Sequence, residues 1–201
     1  MLMKWRNIFI NMLALILFLS FITPSVAQKL VYRVEYKDDS IGYLIAERKN
    51  VGSKTIYQLE SRTNINMLFS FNHYAYYRSE YENDMLVDAR TESFLNDKGN
   101  TTTSTTYENG TYLIKKDKTT SKQSAPIYES IAALYFNRPR NSRIFSERHG
   151  SFFAISKVNE RQFELIKPDN RRNIYYFDGD QCDKATLNLP LATVYLVRIS
   201  N

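Results

Sequence analysis

The sequence predicts a mainly β protein: a single antiparallel β-barrel or half-barrel of about ten strands with one short helix. Three observations carry that expectation. Short segments alternate apolar and polar residues, turn-forming residues separate them at brief intervals, and only one stretch has helical spacing. Connections this short favour a meander over βαβ units.

The elements follow in chain order. Leu30 to Tyr36 places Tyr32, Val34 and Tyr36 on one face and Arg33 and Glu35 on the other, the period of a half-buried strand. Asp38-Asp39 turns the chain into a strand from Ile41 to Lys49, and Asn50 to Ser53 punctuates again. From Thr55, the positions Tyr57, Leu59, Ser61 and Thr63 oppose Gln58, Glu60 and Arg62, a long strand with one wet face. Further strands are expected over 71–82, 86–96, 101–108 and 111–116. Asn109-Gly110 between the last two is the strongest hairpin signal, because both residues tolerate positive φ. Segments 152–157, 161–166, 173–177, 182–187 and 193–199 repeat the style, with Asp178-Gly179-Asp180 as a turn.

The helix is expected at Ile127–Phe136. Ile127, Ile131, Leu134 and Tyr135 recur at helical spacing, Ala132 and Ala133 favour a helix, and Asn137-Arg138-Pro139 ends it. The polar Lys/Thr/Ser stretch 117–125 before it reads as a linker.

Residues 1–27 read as a secretory signal peptide, leaving 28–201 as one β-barrel-like domain. Lys4 and Arg6 precede an apolar run from Ile8 to Ile22, and Ser25 and Ala27 supply the small residues of a cleavage site. An uncleaved anchor is the competing reading, but the run is shorter than the ~20 apolar residues of a span, and Pro24 interrupts it. No cysteine sits at the cleavage point for lipidation, and no transmembrane span is expected after cleavage. The expected location is the periplasm, the cell envelope or the medium.

The net charge of +6 falls to +4 without that segment, far from the dense basic surface of a nucleic-acid binder, so no nucleic acid is expected as a partner. Cys182 is the only cysteine, which excludes an internal disulfide and reads as a structural, partly buried thiol.

Three stretches resemble families of exported bacterial β-rich proteins of unknown function. They are Tyr32-Arg33-Val34-Glu35-Tyr36 leading to Ile41-Gly42, the run from Ser130 to Arg138 with its Leu134-Tyr135 core, and Asn188-Leu189-Pro190 before the last strand. The resemblance implies a curved antiparallel sheet around one central helix, in the periplasm or envelope. It carries no catalytic residues over.

Chemistry-bearing residues are sparse. His73 and His149 lie 76 positions apart without metal-ligand spacing, and His149 reads as part of a solvated loop. Asp178, Asp180 and Asp183 lack the downstream glutamate of a calcium loop. No metal or cofactor is expected. Glu80 and Glu82 share a strand face and could serve glycoside hydrolysis if their pKa values were split, but Arg78 on that face would keep a carboxylate ionised. Arg138, Arg140, Arg143 and Arg148 cluster after the helix, and arginine forks suit anionic groups.

The expected role is therefore non-catalytic: binding a hydrophobic or amphipathic envelope ligand, with Tyr128, Tyr135, Arg138 and Arg140 as the candidate ligand-binding residues. An interaction module docking another envelope protein is the second reading, and a carbohydrate-active β-sandwich enzyme using Glu80 and Glu82 the third. Trp5 is the only tryptophan. Protein recovered from the producing cell's envelope or medium should begin at Gln28 by intact mass and fluoresce through tyrosine alone. A mass that retains Trp5 would sink the cleavage assignment.

Overall fold

The computed structural model describes residues 27–66, 70–96, 98–190 and 192–199; the expected targeting segment, up to position 26, lies outside the described residues. The alternating segments form a single sheet of fourteen antiparallel strands. In its first half, β1 (Ala27–Tyr36), β2 (Asp39–Val51), β3 (Lys54–Asn66), β4 (Ser70–Glu82), β5 (Met85–Leu95), β6 (Lys98–Glu108), β7 (Thr111–Lys116) and β8 (Thr119–Gln123) run up and down. The second half is β9 (Arg143–Ser146), β10 (Ser151–Asn159), β11 (Gln162–Ile166), β12 (Arg172–Asp178), β13 (Gln181–Asn188) and β14 (Thr193–Arg198).

Local chemistry sets the hairpins. Lys37-Asp38, Asn83-Asp84 and Asn109-Gly110 are two-residue turns with both residues at positive φ, the geometry whose twist matches that of the flanking strands. Chain neighbours are therefore sheet neighbours, except β8 and β9, which the plug segment separates. The one long-range pairing sets β1 against β14, with Tyr32 opposite Arg198 and Glu35 opposite Tyr195. That pairing leaves β8 and β9 as the two edges of the sheet, so hydrogen bonding does not close it into a complete barrel.

Right-handed twist curls so wide a sheet, and the edges come together through side-chain contacts instead. In the β9–β10 turn, a Cβ on Gly150 would lie 2.5 Å from Cγ2 of Ile114 on β7. On β6, the Thr103 hydroxyl donates to the Arg148 carbonyl at 2.9 Å. Inward residues form the core, with Tyr32, Leu86, Tyr112, Tyr175 and Phe177 fully buried. The outward faces carry ion pairs such as Arg33–Glu35, Arg62–Glu60 and Arg90–Glu92. A lipid-facing barrel would need an apolar band there.

Two expectations need correction. The sheet has fourteen strands rather than about ten: each of the twelve alternating segments forms its own strand, β8 comes from the stretch read as a linker, and β9 from the arginine-rich loop. Neither edge strand shows apolar alternation, because β8 is exposed on both faces and three of the four β9 residues are buried.

The helix expected at Ile127–Phe136 is absent. In its place an extended segment leads into one 3-10 turn, Ala133–Tyr135. Ahead of that turn, backbone groups of Ile127, Glu129 and Ile131 are claimed by the sheet. Leu86 N–H donates to Ile127 C=O at 2.9 Å, Phe145 N–H to Glu129 C=O at 3.0 Å, and Ile131 N–H to Phe145 C=O at 3.0 Å. Ser130 and Phe145 form a parallel bridge. Ala132 to Phe136 are buried without exception, so the segment has no wet face for an amphipathic helix to present. Tertiary context overrides propensity here. The segment enters and leaves the curled sheet at the same end and plugs it.

Gly42 on β2 is required by close approach: at φ 154° a Cβ would sit 2.0 Å from the Arg62 carbonyl oxygen on β3. A Cβ at Gly52 meets nothing within 4 Å, although that residue too has positive φ. Gly42→Ala should therefore cost more than the roughly 1–3 kcal/mol of backbone strain alone. Gly52→Ala should cost only about 1–2 kcal/mol. Thermal unfolding of the two variants checks the order, and equal losses would show that the β2–β3 approach is slack.

Candidate functional site

In an antiparallel meander successive turns fall at alternate ends. The β7–β8, β9–β10, β11–β12 and β13–β14 connections gather at one end, opposite the plug. Together with the inward faces of the strands they surround a cavity of about 710 Å³. The plug supplies its floor through Ile131 and Tyr135, and Tyr135 packs edge-on against Tyr32 with ring centroids 5.4 Å apart. Leu44, Leu59, Phe153, Leu165 and Leu196 line the wall.

The mouth is cationic. Lys116, Arg148, His149, Lys167 and Arg171 line it, against Asp117 and Asp169. Both carboxylates are already engaged. Asp169 pairs with Arg171, whose guanidinium hydrogen bond holds its carboxyl down to about 2. Asp117 accepts the Thr102 N–H at 3.1 Å. Lys167 donates to the Asn188 carbonyl, and burial, then Arg171, pushes its pKa below the usual lysine range. Arg148 reaches inward beside Tyr77.

The histidines register this uncompensated charge. His73, on β4, has Nε2 3.0 Å from the Ser93 hydroxyl, and burial and Arg148 lower its pKa. On the β9–β10 turn, His149 has its pKa lowered by burial and then by Lys116, Arg148 and Lys167. So both line one cavity despite their distance in sequence, and His149 stands at its mouth rather than in a detached solvated loop. The Ser146 hydroxyl lies 3.0 Å from His149 Nδ1, but the Ser146 carbonyl also accepts the His149 and Gly150 N–H groups. That pattern closes a turn. Among the described residues no three His, Cys, Asp or Glu side chains gather as a metal site.

Glu147 holds this turn to the plug. It is 1% exposed, accepts from the Ser79 hydroxyl at 2.9 Å, and accepts from the Ile131 and Ala132 N–H groups at 3.2 and 3.0 Å. Burial nevertheless raises its pKa above the usual carboxylate range.

The four residues expected to bind ligand do not share one site. Only Tyr135 lines the cavity, as part of its floor. Tyr128 and Arg140 border a smaller cleft at the plugged end, and Arg138 donates to the Gly179 carbonyl at 2.6 Å. The arginine cluster is dispersed as well: Arg143 stacks on Phe152 at 4.4 Å, and Arg148 alone enters the cavity. Nothing in the sequence joins Lys116 to Lys167 and Arg171, because the first ends β7 and the other two belong to the β11–β12 connection. Glu80 lies on the outer face, where Lys54 and Arg78 hydrogen-bond it and hold its carboxyl below the usual range, opposite to the need of a general acid. Cys182 is buried, and its thiol is pushed up to about 12 by desolvation.

Residues 32–199 match the DUF6134 profile, a domain of unknown function. The chain belongs to the DUF6134 family. Among solved structures, the DUF6134 fold is similar to a β-barrel-like protein of the domain of unknown function DUF1849 from Brucella abortus. That likeness has a TM-score of 0.54 at 11% identity and covers 87% of this chain and 96% of the other. No curated protein sequence matches. Among the described residues no helix is long and apolar enough to cross a membrane.

The Glu147 carboxyl ties stability to pH in this DUF6134 member. The folded protein holds its proton more tightly than the unfolded chain does. Its contribution is therefore full below the ordinary glutamate pKa of ~4.3 and is lost as pH rises through the raised folded value. Glu147→Gln should destabilise at every pH. The gap in melting temperature between wild type and variant should narrow from about pH 4 to about pH 8. A constant gap would mean that Glu147 is not the titrating group.

Proposed function

We propose that this protein is exported and acts outside the cytoplasm as a non-catalytic carrier. Its cargo is an amphipathic anion, with the apolar chain in the cavity and the charged head among the cations at the mouth. The observation that carries this reading is the pairing of a cavity of about 710 Å³, walled by Leu, Phe and Tyr, with a mouth where Lys116, Arg148, Lys167 and Arg171 outnumber Asp117 and Asp169. That volume lies within the ~300–1,000 Å³ of small-molecule sites. Unneutralised cations in a low-dielectric recess attract an anion more strongly than the same charges on an open surface. The basic, apolar N-terminal segment supports export.

Native mass spectrometry of protein recovered from its own envelope should show a bound mass that solvent extraction removes. With the extracted protein, a fluorescent long-chain fatty acid should bind saturably. Arg148→Glu should weaken it at least about tenfold, which is ~1.4 kcal/mol. Arg143→Glu, on the outer face over Phe152, should leave it unchanged. Bare native protein together with no saturable binding would overturn the carrier reading.

A further inference from the structure

The open-ended cavity is a cup whose two sides differ. Beneath the mouth, on the side formed by β3 to β6, Thr63, His73 and Thr101 lie close to the strand ends and line the cavity. On β4, Tyr77 shares the inward face of His73. The side formed by β10, β11 and β14 presents Phe153, Leu165 and Leu196 instead.

Arg148 reaches across to the polar side from a turn that is held on every flank. The preceding residue, Glu147, accepts the Ala132 N–H at 3.0 Å, the Thr103 hydroxyl donates to the Arg148 carbonyl at 2.9 Å, and Gly150 is pressed against Ile114. The Arg148 guanidinium hydrogen-bonds the Tyr77 hydroxyl, and its charge acts on His73. Among the described residues no carboxylate forms an ion pair with Arg148. Arg171, in contrast, has Asp169. An arginine stays charged at every working pH, so a half-buried charge stands at the wall of the cup without a counter-ion.

The ligand chemistry follows from the donors. The Tyr77 oxygen accepts from Arg148, which leaves its own O–H to donate. His73 engages the Ser93 hydroxyl through Nε2 at 3.0 Å, and a protonated ring donates from Nδ1 as well. Guanidinium, phenol and imidazolium thus meet with no carboxylate between them, which is the complement of an oxyanion. One fixed charge and one ring able to acquire a charge suit a singly charged head. We propose that Arg148, Tyr77 and His73 form the head-group site of the cup, that it takes a singly charged oxyanion such as an alkyl carboxylate, and that His73 gains a proton as the head arrives. This inference rests on the carrier reading and assigns the head to one corner of the mouth.

The proton follows from what surrounds the ring. Thr63 of β3, Ser93 of β5, Tyr77 of its own strand and Arg148 of the β9–β10 turn face His73, and of these Arg148 alone is charged. In the empty cup burial, then Arg148, lowers the His73 pKa, so the ring is neutral at neutral pH. An anion held by Arg148 offsets that repulsion and raises the value. Binding therefore tightens as pH falls: the gain is complete below the free-protein pKa and is lost as pH rises through the bound one.

The solvent-extracted mature protein can be titrated by calorimetry, in two buffers of different ionisation heat, with decanesulfonate below its micellar concentration and with decanol. The sulfonate keeps its charge throughout, so any proton taken up belongs to the protein. It should bind with uptake of about 0.3 proton or more near pH 6.5, and about threefold or more tighter near pH 6 than near pH 8. Decanol should take up none. His73→Gln should abolish both the uptake and the pH dependence, His149→Gln should keep them, and Tyr77→Phe should weaken the sulfonate about tenfold. Sulfonate binding without proton uptake would overturn the proposal and leave the carrier reading standing. So would uptake that survives His73→Gln or disappears in His149→Gln, which would place the head elsewhere at the mouth. Absence of saturable binding of both compounds would remove the carrier reading and this inference with it.

Discussion

The plug is the constraint on which the remaining structure depends. A fourteen-stranded meander curls around more interior than its inward side chains can fill, and an empty apolar interior forfeits dispersion contacts. The chain resolves this with its own segment between β8 and β9. Burying a non-repetitive backbone requires partners for every N–H and C=O. Leu86, Phe145, the Tyr112 hydroxyl and the Glu147 carboxylate supply them. Glu147 is the most exposed to failure, because a single buried carboxyl serves two plug amides and a serine on the opposite wall. Removing it would strand the Ser79 hydroxyl and the Ala132 N–H at once, while the Ile131 N–H would keep its bond to the Phe145 carbonyl.

Where the plug sits decides where a ligand can go. It fills one end only, since the segment enters from β8 and returns to β9 at that same end. The other end remains a recess whose floor is plug and whose rim is turn. Turns tolerate charge because they reach water, and walls must be apolar because they face each other. An amphipathic cavity is thus the expected product of half-filling a curled meander. The net positive sign of the rim is the part that geometry does not require. Asp169 and Asp117 balance only part of it: four lysine and arginine side chains face two carboxylates, so the cavity keeps a positive field that both histidines feel.

Most of the sheet was legible because strand signals are local. Period-two alternation located β1 to β7 and β10 to β14, and Asn109-Gly110 gave its hairpin directly. The illegible parts are those where a local signal is absent or misleading. Edge strand β8, Thr119–Gln123, has no buried face to pattern, and β9 has both faces covered, so neither alternates. The run Ile127–Phe136 carries a real helical pattern, but Ala132 to Phe136 are enclosed on every side, and enclosure leaves periodicity without meaning. The site was less legible again. Arg138, Arg140, Arg143 and Arg148 are neighbours in sequence, yet each leaves the chain in a different direction. Lys116, Arg148, Lys167 and Arg171 are scattered in sequence, yet share a rim.

The same reasoning explains why the two recesses differ in chemistry. The cup is bounded by strand faces selected for packing, so its polar groups are confined to the mouth. At the plugged end, the recess is bounded by a segment whose backbone had to be satisfied by side chains, and the residues suited to that task are Asn, Glu, Ser and Tyr. Once Glu129 and Asn137 have fixed the loop, they keep unused acceptor capacity at the surface. A structural requirement of the plug therefore leaves behind a rigid polar cleft, while the requirement of the sheet leaves an apolar one.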